Sequence, residues 1–206
     1  MKNKIRFVIL TALLFTLVFS GCKEIPEMDD TIAATVGARS VSREELISRI
    51  KHHVIVGKPI IITELIKDSI QEQEVIARLK GTEYESSKTY ADYYREAREG
   101  YEKNEEENQK AISRYPEKYG ISYSKEESIY SNARFTMYIE AYGKYISLYY
   151  DAHGKELENM TPYEAVDVID RHLEETFRPD TKEIQLNQKV LEEILADFEK
   201  IDIAIT

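Results

Sequence analysis

Residues 124–150 read SKEESIYSNARFTMYIEAYGKYISLYY and predict a long helix. Ser124 is followed three residues later by Glu127, which is the capping-box pattern that opens many helices. Apolar side chains then recur every three or four residues and mark one face of that helix. These side chains are Ile129, Phe135, Tyr138, Ile139, Tyr142, Ile146 and Tyr149. We expect His153 and Gly154 to end it.

The segments on both sides of this helix carry helix signals of the same kind. Ser42 and Glu45 form another capping box, and Gly57 to Pro59 end the helix that it opens. Further helices are predicted at about 60–80, 89–108, 161–177 and 190–198, with Tyr115-Pro116 interrupting the pattern. Alternating apolar residues predict short strands at 32–36, 183–188 and 201–206. We therefore expect a mainly α fold: an elongated helical body with a short pair of β-strands near its N- and C-terminal ends.

The N-terminal residues have the three parts of a cleavable export signal. Lys2, Lys4 and Arg6 precede an apolar run of 13 residues that ends at Phe19. This run is shorter than the ~20 residues that a membrane-spanning helix needs. Small residues, Ser20 and Gly21, follow it, as a signal peptidase requires. An uncleaved anchor or an ordinary secretory signal are the alternatives.

Phe19-Ser20-Gly21-Cys22 resembles the lipobox of bacterial lipoproteins, with Phe19 where Leu is usual. The resemblance implies cleavage after Gly21, a diacylglyceryl group on the Cys22 sulfur and an acyl group on its new amino terminus. Two or more acyl chains hold a protein stably on a bilayer. We therefore expect a protein anchored by lipid to the extracytoplasmic face of the cell membrane, with this covalent lipid and no other cofactor.

The charge of the chain limits the partners that it can have. The net charge is −10, and Lys2, Lys4 and Arg6 leave with the signal, so the net charge from Cys22 onward is −13. A strongly acidic body is unsuited to binding phosphate backbones, which need a basic face. We therefore expect a membrane partner, reached through the lipid, and a polypeptide partner, but no nucleic acid.

Residues 35–46 combine a turn at Gly37, Val41, a Ser42 cap and Glu45-Leu46. This order resembles the entry to the SurA/PrsA-type foldase N-terminal domain, from which Gly37-Ala38 departs, since the family has Asn-Gly there. The resemblance extends in helix order over about 32–150 and implies a domain that binds unfolded secreted chains. The parvulin isomerase domain of many family members has no counterpart, since only some fifty residues follow Tyr150.

The chain is accordingly divided into four parts: a signal peptide (1–21), a lipidated tether (22–31), a SurA N-terminal-like helical domain (32–150) and a C-terminal helical extension (151–206). The sequence contains no catalytic motif and no metal-ligand spacing, because His52, His53, His153 and His172 fit no known ligand pattern. We expect no enzymatic activity, no prolyl isomerisation and no bound metal.

Aromatic residues of the long helix are the candidate binding residues. They are Phe135, Tyr138, Tyr142, Tyr145 and Tyr149. Such a stripe either packs into the core or lines a cleft that grips extended peptides. Two functions stay open: a chaperone-like lipoprotein that binds unfolded polypeptide, and a structural or regulatory lipoprotein that holds one folded partner at the cell envelope. An open aromatic cleft favours the first, and a packed stripe with one flat apolar patch favours the second.

Overall fold

The computed structural model describes residues 31–206. The predicted signal, the lipid-attachment residue Cys22 and all but the last residue of the tether lie outside the described residues. The described part is mainly helical, as the sequence predicts, and it includes a small antiparallel sheet. Its helices are α1 (Arg43–Val56), α2 (Ile62–Leu79), α3 (Tyr90–Lys103), α4 (Glu105–Ile112), α5 (Tyr115–Tyr119), α6 (Lys125–Leu157), α7 (Pro162–Phe177) and α8 (Gln188–Asp197).

The strands come from both ends of the described chain. They are β1 (Ile32–Val36), β2 (Arg39–Ser42), β3 (Ile60–Ile61), β4 (Gln185–Leu186) and β5 (Ile203–Ala204). β1 lies between β2 and β4 and pairs with both in antiparallel fashion. β3 pairs in parallel with β5. The expected pairing between the two ends of the chain is therefore present, within a larger set of strands than the sequence predicts.

The caps predicted at Ser42 and Ser124 both accept a hydrogen bond from the backbone N–H three residues later. Ser124 Oγ accepts a hydrogen bond from the backbone N–H of Glu127 at 3.1 Å, and Glu127 accepts one from the N–H of Ser124 at 2.7 Å. At Ser42 only half of the capping box forms. The N–H of Glu45 donates to Ser42 Oγ, but the Glu45 carboxylate is buried and binds cationic side chains. The predicted return bond from Glu45 is therefore wrong, because a buried carboxylate needs a charged partner more than an N–H group does.

Three helix boundaries differ from those predicted. α6 continues through His153 and Gly154 to Leu157, whose side chain is buried. The predicted helix over 89–108 is interrupted at Asn104, which separates α3 from α4. Tyr115-Pro116 opens the short helix α5, since proline fits the first turn of a helix, where its missing N–H costs nothing.

The interior consists of three apolar clusters arranged along α2 and α6. The first lies under the strands and is built from β1, α1, the first half of α2 and α8. The second joins the end of α2, the second half of α6 and α7. The third joins α3, α4 and the first half of α6. α6 is thus buried from different sides along its length, while α2 connects the first cluster to the second.

None of the helices in the described part of the chain is both long and apolar enough to cross a membrane. Residues Thr31–Thr206 form one compact unit. The predicted domain boundary at Tyr150 stays a prediction, and the backbone there is the interior of α6.

Candidate functional site

The five aromatic residues predicted as a binding stripe differ widely in exposure. The Phe135 side chain is 62% exposed, whereas Tyr145 is only 4% exposed. Tyr138, Tyr142 and Tyr149 lie between these limits. A single open groove would expose all five rings along one line. The structure instead places the later members of the stripe against a neighbouring helix.

That neighbouring helix is α7. The Tyr142 hydroxyl donates a hydrogen bond to the carboxylate of Asp170. The Tyr145 ring meets Phe177 edge to face, with 5.9 Å between ring centroids. Tyr142 and Tyr145 therefore connect α6 to α7. Burial, and then the bond to Asp170, raises the pKa of Tyr142, so its hydroxyl keeps its proton at neutral pH.

Tyr149 lies between two histidines. The ring of His153 stacks on it at 4.3 Å between centroids, and His172 of α7 approaches it at 5.0 Å. The sequence predicts no shared site for these histidines, and the fold brings them to one tyrosine. Within residues 31–206, no group of three or more His, Cys, Asp or Glu side chains is arranged to hold a metal ion.

The exposed residues in the middle of α6, between Asn132 and Ser147, form a surface without charge. We call this surface the neutral face. Its members are Asn132, Phe135, Thr136, Ile139, Gly143 and Ser147, all of which are exposed. They recur at spacings of three and four residues, and at 1.5 Å per residue they cover about 22 Å of helix. Ile139 is 49% exposed and follows Phe135 by one helical turn.

The charged residues of this part of α6 are half-buried and have partners. Lys144 Nζ is 2.7 Å from the Glu140 carboxylate, one turn earlier on the same helix. The Arg134 guanidinium points into the protein and lies 2.5 Å from the carboxylate of Glu45. The neutral face therefore lacks charged members because the charged residues of this stretch are half-buried in ion pairs, in a chain that is 32% charged.

Beneath α6, two carboxylates and two guanidinium groups form an internal ionic network. Its members are Glu45 and Arg49 of α1, Glu72 of α2 and Arg134 of α6. Ser69, which is completely buried, donates a further hydrogen bond to Glu45. Burial raises the pKa of Glu72, although Arg49 opposes this. The network is balanced in charge, and it connects α1, α2 and α6.

Tyr138 connects this network to the stripe of aromatic residues. Burial, together with the nearby carboxylates Glu72 and Asp170, raises the pKa of Tyr138 to about 12. Its ring centroid is 6.0 Å from that of Tyr142. Tyr138 is therefore a neutral, half-buried ring beside the buried ions.

Two surface clefts of the described chain have charged side chains in their lining. One lies at the start of α4, between Lys103 and Lys110. The other lies between the sheet and the end of α7, where Arg39 is paired with Glu74 and Arg178 with Asp68. Because these guanidinium groups already have carboxylate partners, the cleft offers an anionic ligand little unneutralised charge.

Comparison with known protein families, with curated proteins and with solved structures finds no match to this chain. The resemblance of residues 32–150 to the SurA/PrsA-type N-terminal domain therefore stays a prediction. Function has to be inferred from the geometry of the chain itself.

The sequence prediction omits two parts of this region. Ile139 belongs to the predicted apolar periodicity of α6 but not to the predicted binding residues. The exposed positions that share a face with Ile139, from Asn132 to Ser147, carry no charge. This pattern could have identified Ile139 as a binding residue from the sequence. The network around Glu45 and Arg134 has no comparable signal, because carboxylates are abundant throughout the chain and any one pair is uninformative.

Proposed function

We propose that this protein is an extracytoplasmic lipoprotein that holds a protein partner at the cell membrane through the neutral face of α6. The observation that carries the proposal is the exposure of Phe135 and Ile139, side by side on a long helix that is packed against the rest of the protein. Large apolar side chains at the centre of a surface without charge are typical of protein interfaces, which are depleted of charge at their core.

The packing of the aromatic stripe favours a single partner over many unfolded clients. Tyr145 is buried, and Tyr142 hydrogen-bonds to α7, so neither ring is free to line an adaptable peptide groove. Of the five predicted rings, Phe135 is the exposed one, and it lies beside Ile139 on a helix that packs against the rest of the protein. A rigid surface binds a partner of complementary shape at a low entropic cost, whereas clients that vary in sequence need a surface that can repack.

The membrane anchor is the second part of the proposal, and Cys22 carries it. The n-region, the 13-residue apolar run and Phe19-Ser20-Gly21-Cys22 occur in the order that lipoprotein processing requires. Cys22 is the only cysteine of the chain, so an internal disulfide cannot account for it. With the lipid as anchor, the acidic body extends from the membrane and presents α6 to other proteins. This role needs binding alone, without catalysis, metal or isomerase activity.

Photocrosslinking from the neutral face tests this function. A photoreactive amino acid is placed at Ile139 in the full-length, lipidated protein, and the membranes of the producing bacterium are irradiated. The matched control carries it at Arg171, an exposed position on α7. We expect one discrete adduct from position 139 and none of that size from position 171. A broad ladder of adducts would favour the chaperone-like function instead, and the absence of adducts from position 139 would reject the neutral face as a binding surface.

A further inference from the structure

We propose that the partner on the neutral face is a second copy of this chain, packed antiparallel with Ile139 at the two-fold axis. The proposal rests on the proposed function, because it names the occupant of the same face. The order of large and small residues around Ile139 supports it, and the charge of the chain and the size of the face set the conditions under which the pair can form.

Large and small residues are placed symmetrically about Ile139. Phe135 lies one turn before Ile139, and Gly143 lies one turn after it. In a two-fold antiparallel pair, a residue that precedes the axis faces the residue that follows it by the same number of positions. Phe135 therefore faces the partner's Gly143, and the same contact occurs a second time by symmetry.

Gly143 provides the space that this contact needs. A Cβ atom added at Gly143 would meet no atom of its own chain within 4 Å. The surface beside Gly143 is therefore open, and a phenyl ring from another helix can approach the backbone there. Phe135 is 62% exposed and projects beyond the surface at the matching position. On the neutral face, the Phe135 ring is thus a protrusion, and the open surface beside Gly143 is a gap that can receive the same ring of another copy.

The other members of the face are compatible with the same register. In this register Asn132 lies level with the partner's Ile146, and Thr136 lies level with the partner's Tyr142. Each of these pairs joins a smaller polar side chain to a larger, half-buried apolar or aromatic one. The same register places Lys144 of one copy level with Arg134 of the other, but the Arg134 guanidinium is bound to Glu45 inside the protein.

The charge of the chain limits where two copies can meet. From Cys22 onward each copy carries a net charge of −13, so two copies repel each other and can approach closely only where a surface lacks charge. The neutral face meets this condition.

The size of the face indicates a weak pair that depends on the membrane. A contact along about 22 Å of helix buries on the order of a few hundred Å² per partner, which is less than the ~800 Å² of a standard stable interface. Two copies anchored in one bilayer share a high effective concentration, which compensates for a weak contact. We therefore expect pairs on the membrane and mainly single chains in dilute solution.

Cysteine crosslinking in the membrane tests the register. Two antiparallel helices at an interaxial distance of about 9–10 Å bring the two facing copies of residue 139 to a Cα separation of roughly 4.5–5.5 Å, which a disulfide can span. The two copies of residue 135 are displaced by roughly 12 Å along the helix axis, beyond the reach of a disulfide, and so are the two copies of residue 143. The full-length, lipidated chain is oxidised in membranes, and the parent, with Cys22 alone, gives the background.

We expect Ile139→Cys to form a crosslinked dimer. Phe135→Cys and Gly143→Cys should each remain monomeric alone and should crosslink to one another when the two variants are produced together. Equal crosslinking by all single variants would indicate random collision and overturn the proposed register. If Ile139→Cys gives no dimer while the photoadduct from position 139 has a mass other than twice that of the chain, the second copy is rejected and the proposed function stands. If neither method gives an adduct, both fail.

Gly143→Leu distinguishes loss of the pair from loss of the fold. The added side chain meets no atom of its own chain near Cβ, and leucine favours a helix more than glycine does, so the fold should be at least as stable. The same side chain fills the gap that Phe135 of the other copy would occupy. Combined with Ile139→Cys, it should lower the crosslinked fraction at least tenfold, with an unchanged helical circular dichroism signal. Undiminished crosslinking would overturn the proposed contact.

Discussion

The guanidinium group of Arg134 lies 2.5 Å from the carboxylate of Glu45, which is 5% exposed, and this ion pair joins α6 to α1 inside the protein. A second ion pair between the same helices, Lys51 with Glu127, also has a distance of 2.5 Å. α1 belongs to the apolar cluster under the strands, and α6 belongs to the other two clusters. These two charged pairs therefore connect parts of the protein whose apolar cores are separate.

Replacing Arg134 with Met should destabilise the protein strongly. The variant leaves Glu45 and Glu72 buried beside Arg49 alone, and breaking a buried ion pair from one side costs about 3–5 kcal/mol. Urea unfolding of residues 23–206, followed by circular dichroism, measures the loss. Arg98→Met is the matched control: Arg98 pairs with Glu126 on the surface, where such a pair contributes less than about 1 kcal/mol. Equal losses in the two variants would contradict the role assigned to the network.

The α3 capping box should keep the Asp92 carboxyl group ionised at a lower pH than an ordinary aspartate. Hydrogen bonds from the Thr89 hydroxyl and backbone N–H, and then from Arg95, lower the pKa of Asp92 from 3.8 to about 2. A lowered folded-state pKa stabilises the protein above the unfolded value, and this contribution is lost as the pH falls through the folded value. For Asp92 the loss therefore occurs between about pH 4 and pH 2.

An NMR titration of the Asp92 side chain checks this prediction. Thr89→Val removes the hydroxyl donor, so the pKa of Asp92 should rise toward 3.8. Thr136→Val, which removes a hydroxyl from the neutral face, should leave it unchanged. A pKa near 3.8 in the unmodified protein would show that the cap does not hold the carboxylate as the structure indicates.

Local features of the fold could be read from the sequence because they depend on neighbouring residues. The capping box at Ser124 requires only Glu127, three positions away, and it forms as predicted. Gly57 ends α1 with φ of 68°, a backbone conformation that glycine adopts without the steric cost of a side chain. Such signals operate over one or two helical turns, and most of the predicted helices follow from them.

Features that depend on distant residues could not be read in this way. Ile60 and Ile61 continue the apolar pattern of α2, yet they form a strand because Ile203 and Ala204 lie beside them. The same limit applies to the aromatic stripe. Phe135 and Tyr145 share a helical periodicity, but α7 covers Tyr145, whereas Phe135 remains exposed. Periodicity identifies the residues that share one side of a helix, and the neighbouring helices decide which of them are covered.

Replacing Cys22 with Ser should release the protein from the membrane. If the lipid is the anchor, the variant cannot be acylated, and its apolar run of 13 residues is too short to span the bilayer stably. Metabolic labelling with a fatty acid and fractionation of the cells measure both effects. Ser20→Ala, which keeps a small residue before the cleavage site, should remain acylated. Labelling of the Cys22→Ser variant at the wild-type level would exclude Cys22 as the attachment point.

Substitutions at Tyr145 and Phe135 should affect different properties: those at Tyr145 the stability of the fold, and those at Phe135 the binding of the partner. Tyr145 is 4% exposed and contacts Phe177, so Tyr145→Ala leaves a cavity between α6 and α7 and should cost about 3–5 kcal/mol of stability. Phe135→Ala removes a ring that is 62% exposed, and the change in stability should stay within about 0.5 kcal/mol. Tyr145→Phe keeps the ring and should retain most of the stability that Tyr145→Ala loses.

Urea unfolding of the three variants, together with photocrosslinking from position 139, measures the two properties independently. Phe135→Ala should lose the crosslinked adduct at unchanged stability, because the apolar centre of the contact is removed while the fold is not. Tyr145→Phe should keep both the adduct and the fold. The assignment of Phe135 to the surface and Tyr145 to the core would be wrong if Phe135→Ala unfolded the protein, or if Tyr145→Ala left its stability intact while removing the adduct.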